Sequence, residues 1–379
     1  MPTTAVAPAQ ALAALPTILA EVVGPLAEEI DRTGAYPRQA IQALSAAGLL
    51  GLISATEVGG LGQGQRAAAD VVEQLARHCG STAMVVMMHY SAVAVIEALG
   101  PEAVRRDVAG GRALASLAFS EAGSRSHFWA PMSTATAADD GVRLDARKSW
   151  VTSAGEADVY VWSSQPLAAD GASTLWLVPA DASGLEVGPP FDGLGLRGNC
   201  SRPVTANGTW VPSAAMLGPD GSGFDTMLGV VLPCFQVLSA AFSAGTMDVA
   251  TTKAAAHAAA ARFEHLDQSL AENPVVRASV ARMRIRTDSA RTLLSDTLTA
   301  IETGRDDTML RVLEVKAAAS EAAMEVTDLA MRVCGGAAFR KEMGVERHFR
   351  DARASSVMAP TTEALHDFIG KAVCGLPLF

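Results

Sequence analysis

The middle of the chain contains the stretch KSWVTSAGEADVYV, which runs from Lys148 to Val161. It leads into VYVWSS, and TLWLVPA follows, so short apolar runs of strand length succeed one another here. Turn signals separate the runs at Asp140-Gly141, Asp170-Gly171 and Asp220-Gly221. We therefore predict an antiparallel β-domain over residues 113–222.

Helical patterns flank this segment on both sides. Before it, apolar residues recur at three- and four-residue spacing through AIQALSAAGLLGL and VVEQLA, which predicts a helical domain over residues 1–112. After it, long Ala-rich helical patterns continue until Gly335-Gly336, a typical helix end. The predicted fold is a multidomain α+β protein in which the last domain, residues 223–379, is a four-helix bundle. A chain of 379 residues with 49% hydrophobic composition has room for such domains.

Composition narrows the possible ligands and compartments. The formal net charge of -10, without clusters of Lys and Arg, argues against a nucleic-acid partner and favours small molecules. Five scattered cysteines form no CxxC pair, so we expect no zinc site and a reducing, cytoplasmic environment. The first basic residue is Arg32, so we interpret the apolar N-terminus as an amphipathic helix rather than a secretion signal. The uncharged run from Thr226 to Met247 contains Pro233 and Gln236, and we interpret it as a buried helix rather than a membrane span.

Several local patterns occur in the order and at about the spacing found in the acyl-CoA dehydrogenase superfamily. The segments AAGLLGLISATEVGGLGQG, AFSEAGSRS, KSWVTSAGEADVYV and GLGLRGNCSRPV resemble that family's first two domains, and AMRVCGGAAF and ERHFRDARASSVMAPTTEAL resemble its last. The resemblance implies an FAD-dependent oxidoreductase. Because family members bind FAD across a subunit boundary, it also implies a homodimer or homotetramer.

The resemblance also implies which residues contact FAD. An isoalloxazine ring binds well against an aromatic side chain on one face with a hydroxyl hydrogen-bond donor near N5. The alternative for the central strand is an ordinary half-buried strand with one Trp, and for each arginine it is a solvated helix face. The predicted FAD contacts are Ser120, Trp150, Thr152, Ser153, Arg262, Arg277, Arg332, Gly335, Gly336, Thr361 and Glu363. Of these, Arg277 and Arg332 stand where the family has Gln, and they could still pair with phosphates.

The sequence departs from the family where a general base is expected. Family dehydrogenation removes an α-proton with a Glu while hydride leaves for the flavin. At one family position Ala359 replaces that Glu, and the run from Thr226 to Met247, which would carry the other, has no acid. Gln236 or a neighbour stands where the family has an Arg near the CoA portion. Both the base and the recognition of CoA are therefore open.

Other residues are candidates for chemistry or substrate contact. His127, just after the loop that faces flavin and substrate, is a candidate acid or base, or else a loop His bonded to backbone. His89 is either a core residue or part of the substrate pocket. The aromatic Phe128 and Trp129 permit a bulky or aromatic substrate. The full set of predicted substrate contacts is Ser124, His89, Phe128, Trp129, Gln236 and Ala359.

Two reactions remain in competition. The first is oxidation of an acyl thioester, carried by CoA or a carrier protein, with a non-standard base and an electron-transfer flavoprotein as acceptor. The second is a monooxygenase or oxidase reaction, in which reduced flavin reacts with O₂ and a small molecule is oxidised. A flavin reductase would supply the reduced flavin, and this reaction needs no α-proton base. A redox-silent relative is disfavoured because the flavin strand is retained.

Overall fold

A computed structural model describes residues 7–124 and 127–378. Arg125 and Ser126, the end of the AFSEAGSRS motif, lie outside the described residues. The first domain is helical, as predicted, and its helices are α1 (Pro8–Ile18), α2 (Gly24–Thr33), α3 (Arg38–Ala46), α4 (Gln65–His78), α5 (Gly80–Leu99) and α6 (Glu102–Ala109).

The central domain consists of two sheets. Their strands are β1 (Ala115–Ala118), β2 (Thr134–Ala138), β3 (Gly141–Val151), β4 (Val159–Ser164), β5 (Thr174–Pro179), β6 (Leu185–Val187), β7 (Arg202–Pro212) and β8 (Met216–Leu217). One sheet has the strand order β1-β4-β5-β8 and the other β2-β3-β7-β6.

The pairing of β1 with β4 is parallel, with Ala115 opposite Val159, whereas the other pairs in these two sheets are antiparallel. The predicted antiparallel β-domain is present, and this one pair departs from it. Parallel neighbours require a long crossover, and here the chain makes it by passing through β2 and β3 of the other sheet.

The last domain is a bundle in which α8 and α10 pack together, with α9 and α11 each packing on both and α12 on α10. Its elements are α7 (Gly223–Thr226), α8 (Leu232–Ala260), β9 (Arg262–Phe263), β10 (Gln268–Ser269), α9 (Pro274–Thr303), α10 (Thr308–Cys334), α11 (Val345–Val357) and α12 (Thr362–Val373). A π-helical turn, Met227–Val231, joins α7 to α8.

Within the part of the chain that the structure describes, three helical stretches are long and apolar enough to cross a membrane by length and composition: Pro8–Thr33, Gly80–Leu99 and Gly223–Ala260. In the second and third, 72% and 78% of the most apolar window is buried inside the protein. The run from Thr226 to Met247 is therefore a core helix, as its sequence predicts. Its apolar surface is covered by neighbouring helices, chiefly α4 and α10.

Candidate active site

A bulge near the end of β3 exposes Trp150. The register with β7 shifts between Lys148 and Val151, and Trp150 takes a left-handed backbone conformation with φ of 57°. A bulge of this kind turns a side chain out of the regular alternation. The indole is 60% exposed and stacks on Phe191, with ring centroids 4.1 Å apart and planes inclined by 28°. Phe191 is itself 36% exposed, so the two rings form an open aromatic surface.

A buried ion pair fixes the loop after β1 to the same strand. Nζ of Lys148 donates to Oε1 of Glu121 at 2.5 Å and to the carbonyl oxygen of Ser163 at 2.7 Å. The second carboxylate oxygen of Glu121 accepts from the backbone N–H groups of Met132 and Ser133. Glu121 therefore also holds the far end of this loop, at Met132 and Ser133.

The protonation of this pair follows from its surroundings. Burial lowers the pKa of Lys148 to about 8, although Glu121 opposes the shift. Burial also disfavours ionisation of Glu121, but Lys148 and the other donors outweigh burial and hold the pKa of that carboxyl below its usual value. Both groups are therefore charged at neutral pH, and the Glu121 carboxylate is fully engaged as an acceptor.

A cleft of about 630 Å³ opens beside the aromatic surface. Its wall includes Ser120, Trp150 and Thr152, three of the predicted FAD contacts, together with Ser149 and Arg202, which were not among them. Nε of Arg202 is buried and has no hydrogen-bond partner among the described residues. A buried donor of this kind requires an acceptor. The volume is that of a typical ligand site, and an exposed aromatic surface with an unpaired donor fits a planar ring that carries oxygen acceptors.

A smaller inner cavity of about 100 Å³ adjoins the cleft. The two share six wall residues: Ser120, Ser149, Trp150, Thr152, Met358 and Ala359. The rest of the inner wall is apolar and includes Met88, Leu117, Phe119, Phe128, Val231, Leu232, Phe235 and Pro360. Among the described residues, this wall contains no carboxylate, imidazole or amine.

The predicted histidines lie elsewhere. His127 is exposed, its Nδ1 lies 3.2 Å from the carbonyl oxygen of Ser124, and its ring packs edge-on against Trp129. It does not belong to the described wall of either space, which favours the interpretation as a loop His. His89 is fully buried: Nδ1 accepts from the N–H of Ala115 and Nε2 lies 3.1 Å from the carbonyl oxygen of Leu50. Burial lowers its pKa to about 4, so it is a neutral core residue and not a substrate contact.

The other predicted substrate contacts are divided. Phe128 and Ala359 line the inner cavity, whereas Trp129 packs behind Phe128. Ser124 donates to the carbonyl of Glu121 and lies outside both described walls. Gln236 is fully buried, and neither atom of its amide has a partner among the described residues. Gln236 is not part of the described wall of the inner cavity, whereas its neighbour Phe235 is.

Some predicted FAD contacts have local partners within the chain. Ser153, like Trp150, has a left-handed backbone conformation, and this turns its side chain away from the cleft. Its Oγ lies 3.3 Å from the hydroxyl of Tyr36. Arg262 binds Asp267, Arg277 donates to two backbone carbonyls, and Arg332 pairs with Asp328.

The remaining predicted FAD contacts lie at helix ends. Thr361 caps α12 by accepting from the N–H of Ala364, and Glu363 is exposed in the first turn of that helix. At Gly335 and Gly336, which follow α10, an added Cβ would meet nothing within 4 Å. The helix-end residues and the three arginines lie outside the described walls of the cleft in a single chain.

Lys316 is a buried charged residue that was not predicted from the sequence. Its Nζ is fully buried on α10 and donates to the carbonyl oxygens of Met358 and Pro360, at 3.0 and 2.7 Å. Burial lowers its pKa to about 7, with Glu363 opposing the shift. The signal was present, because Lys316 shares the apolar face of α10 with Val312. Arg202 gave no comparable signal.

The fold and the cleft thus define a protein that holds a planar ring cofactor against a small apolar cavity. Models of the acyl-CoA dehydrogenase N-terminal, middle and C-terminal domains match residues 10–113, 116–208 and 221–374. The human mitochondrial short-chain specific acyl-CoA dehydrogenase is 28% identical over 89% of this chain and 83% of its own length.

Solved structures share the fold. Butyryl-CoA dehydrogenase from Megasphaera elsdenii superposes with a TM-score of 0.89 at 23% identity and 99% coverage of both chains. The prolyl acyl carrier protein oxidase AnaB gives a TM-score of 0.87 at 20% identity, covering 96% of this chain and 98% of its own. The chain belongs to the acyl-CoA dehydrogenase family and is an FAD-dependent oxidoreductase. The predicted family, fold class and cofactor are confirmed.

Proposed function

We propose that the chain oxidises a small apolar acyl group, presented as a thioester, at FAD bound in the cleft. The observation that carries the proposal is the shared wall: an apolar cavity opens directly onto the cleft through residues such as Ser149, Trp150 and Ala359. A group in this cavity is held out of water beside the ring cofactor. Proximity of this kind is what a hydride transfer requires.

The residues divide the work between cofactor and substrate. Bound FAD supplies a hydride acceptor at N5. Trp150 and Phe191 would cover the ring, and Thr152 and Arg202 would supply hydrogen-bond donors. The apolar wall of the inner cavity, which includes Phe119, Leu232 and Pro360, would exclude water from the acyl chain.

The carrier of the acyl group is part of the proposal. Relatives of this chain are named as acyl-CoA dehydrogenases, and a protein of the same fold is named as an acyl carrier protein oxidase. The amide of Gln236 replaces a cation near the expected position of CoA and lies buried without a described partner. This loss of positive charge supports a carrier-protein thioester over free CoA.

A second function is favoured by one observation. The described wall of the inner cavity has no group that accepts a proton at neutral pH, whereas removal of an α-proton without a base is slower by roughly 10²- to 10⁴-fold. An oxygenation with O₂ and reduced flavin requires no such base. A flavin reductase would be the partner in that case, and an electron-transfer flavoprotein in the first.

We also propose a cytoplasmic homodimer or homotetramer. Large apolar side chains of the last domain, among them Val275, Ile285 and Phe339, are mostly exposed in the single chain, and a subunit interface would cover them. The described cysteines are unpaired, in keeping with a reducing compartment.

Anaerobic titration of the FAD-loaded protein with short acyl-CoA and acyl-pantetheine thioesters tests the proposal. Bleaching of the oxidised-flavin absorbance by a thioester supports it. No bleaching by any thioester, combined with O₂-dependent product formation once a reductant is supplied, supports the oxygenase instead. Ser149→Ala, in the shared wall, is expected to slow bleaching, whereas Ser124→Ala, the same substitution outside the described walls, serves as the matched control.

A further inference from the structure

A second apolar cavity lies beyond the inner one. It measures about 30 Å³, and its described wall is formed by apolar and aromatic side chains alone, including Trp129, Leu313 and Phe368. Phe128, Leu232 and Pro360 belong to the walls of both cavities. These three side chains therefore form the partition between the substrate cavity and an apolar space behind it.

Phe128 is the largest side chain of the partition, and its ring is well supported. It is 8% exposed and packs edge-to-face on Trp129, with centroids 5.1 Å apart and planes inclined by 82°. Trp129 in turn packs on Phe368 at 5.6 Å. The chain just beyond is held by Glu121, which accepts from the N–H of Met132. Phe128 is thus a fixed wall.

The volumes set the size of the group that fits in front of this wall. A cavity of about 150 Å³ is enough to bind benzene. The inner cavity of about 100 Å³ therefore accepts an acyl group of fewer than six carbon atoms. Removing the Phe128 ring would add the volume of one benzene and join the two cavities.

We propose that Phe128 is a specificity-determining residue that closes the substrate cavity and limits the acyl group to about four or five carbons. The proposal rests on the proposed function, because it assumes that the acyl group occupies this cavity. It differs from the expectation that Phe128 and Trp129 permit a bulky or aromatic substrate. The rings occupy the space that a bulky substrate would need.

The test compares the FAD-loaded wild type with Phe128→Ala and Phe128→Leu. Binding of straight-chain amides from butanamide to decanamide is measured by the flavin difference spectrum, which does not depend on turnover. In the wild type, affinity is expected to stop rising beyond about five carbons. In Phe128→Ala it is expected to continue rising by roughly fourfold per added methylene up to eight or more carbons, with Phe128→Leu intermediate.

Leu313→Ala is the control, because it enlarges the second cavity on the far side of the partition and removes neither a partition residue nor a ring that supports Phe128. Its chain-length profile is expected to equal that of the wild type. The proposal is overturned if the wild type itself gains affinity steadily from butanamide to decanamide, a result that stands even if the variants do not fold. It is equally overturned if folded Phe128→Ala keeps the wild-type profile.

The reaction is followed separately by the rate of flavin bleaching with acyl-CoA and acyl-pantetheine thioesters whose acyl groups have four to ten carbons. If no thioester bleaches the flavin while the amide series shows the expected shift, the proposed function fails and the role of Phe128 as a size limit stands. If a short thioester bleaches the flavin while Phe128→Ala keeps the wild-type amide profile, the proposed function stands and the role of Phe128 fails.

Discussion

Replacement of Glu121 by Gln isolates the contribution of the buried ion pair that holds the active-site loop. In this variant Lys148 keeps the carbonyl and the hydroxyl of Ser163 as acceptors, at 2.7 and 3.0 Å, but loses its counter-charge. The new amide also turns a donor either toward Nζ of Lys148 or toward the backbone N–H groups that the carboxylate binds. Leaving one charge of a buried pair without its partner costs about 3–5 kcal/mol of unfolding free energy.

Lys148→Met alone should cost a similar amount, because it leaves the Glu121 carboxylate buried without its cation. The double variant should cost less than the two single variants together, by up to about 3 kcal/mol, since the two groups contact each other. Urea unfolding at a fixed excess of FAD measures all four proteins. The fluorescence of buried Trp162, whose ring lies 5.1 Å from Nζ of Lys148, reports on the transition.

Strictly additive costs in the double variant would refute this reasoning, because they would show that the two charges do not stabilise each other. A cost below about 1 kcal/mol for Glu121→Gln would refute it as well, since it is the value of an exposed pair. Arg106→Gln, which removes one partner of an exposed pair with Glu102, is the control and should stay within that limit.

Three further predictions concern the reaction and the interior. Ala359→Glu should accelerate flavin reduction by a short acyl-CoA roughly 10²- to 10⁴-fold, and Ala359→Gln should not; equal rates would show that the missing base is not what limits the reaction. Because the pKa of Lys316 is about 7 in the folded chain, against an ordinary lysine value of 10.5, the unfolded chain binds more protons between these values, and this group makes stability rise with pH. Lys316→Met should remove that rise, up to about 1.4 kcal/mol per pH unit, in urea midpoints measured from pH 7 to 9.5; an unchanged slope contradicts the assignment. His127→Ala should change stability by no more than about 0.5 kcal/mol and leave the pH dependence of flavin reduction intact, whereas loss of one ionisation from that profile would restore His127 as an acid or base.

Local patterns predicted the helices and most strands because their signals are local. Helices α5 and α8 carry almost uninterrupted apolar sequence, so burial on all sides was the consistent interpretation. The parallel pairing of β1 with β4 was missed because it depends on where the chain returns after a long crossover, which no short pattern encodes.

Site residues could be predicted where a motif position identifies them, but not where the direction of the side chain determines whether it reaches the cleft. Trp150 and Ala359 were found from motif positions, and the structure places both in the shared wall. Ser153 was assigned to the cleft, but its backbone turns it toward Tyr36. Phe128 was expected to permit a bulky or aromatic substrate, and its packing on Trp129, which the sequence does not encode locally, is what supports the proposal that it limits the cavity instead.

The two halves of a dehydrogenation are unequally represented in this site. For the hydride side, the cleft offers candidate flavin contacts, namely an aromatic surface, hydroxyl groups and the unpaired Nε of Arg202. The proton side is empty in the described wall, since Ala359 offers no acceptor and the carboxylate of Glu121 is fully engaged. A substrate suited to such a site either carries a proton more acidic than that of a simple thioester or loses none before the flavin acts. A thioester of the first kind reduces bound FAD anaerobically, whereas a substrate that is oxygenated by reduced flavin and O₂ does not, so the response of Ala359→Glu and the anaerobic titration together separate the two reactions.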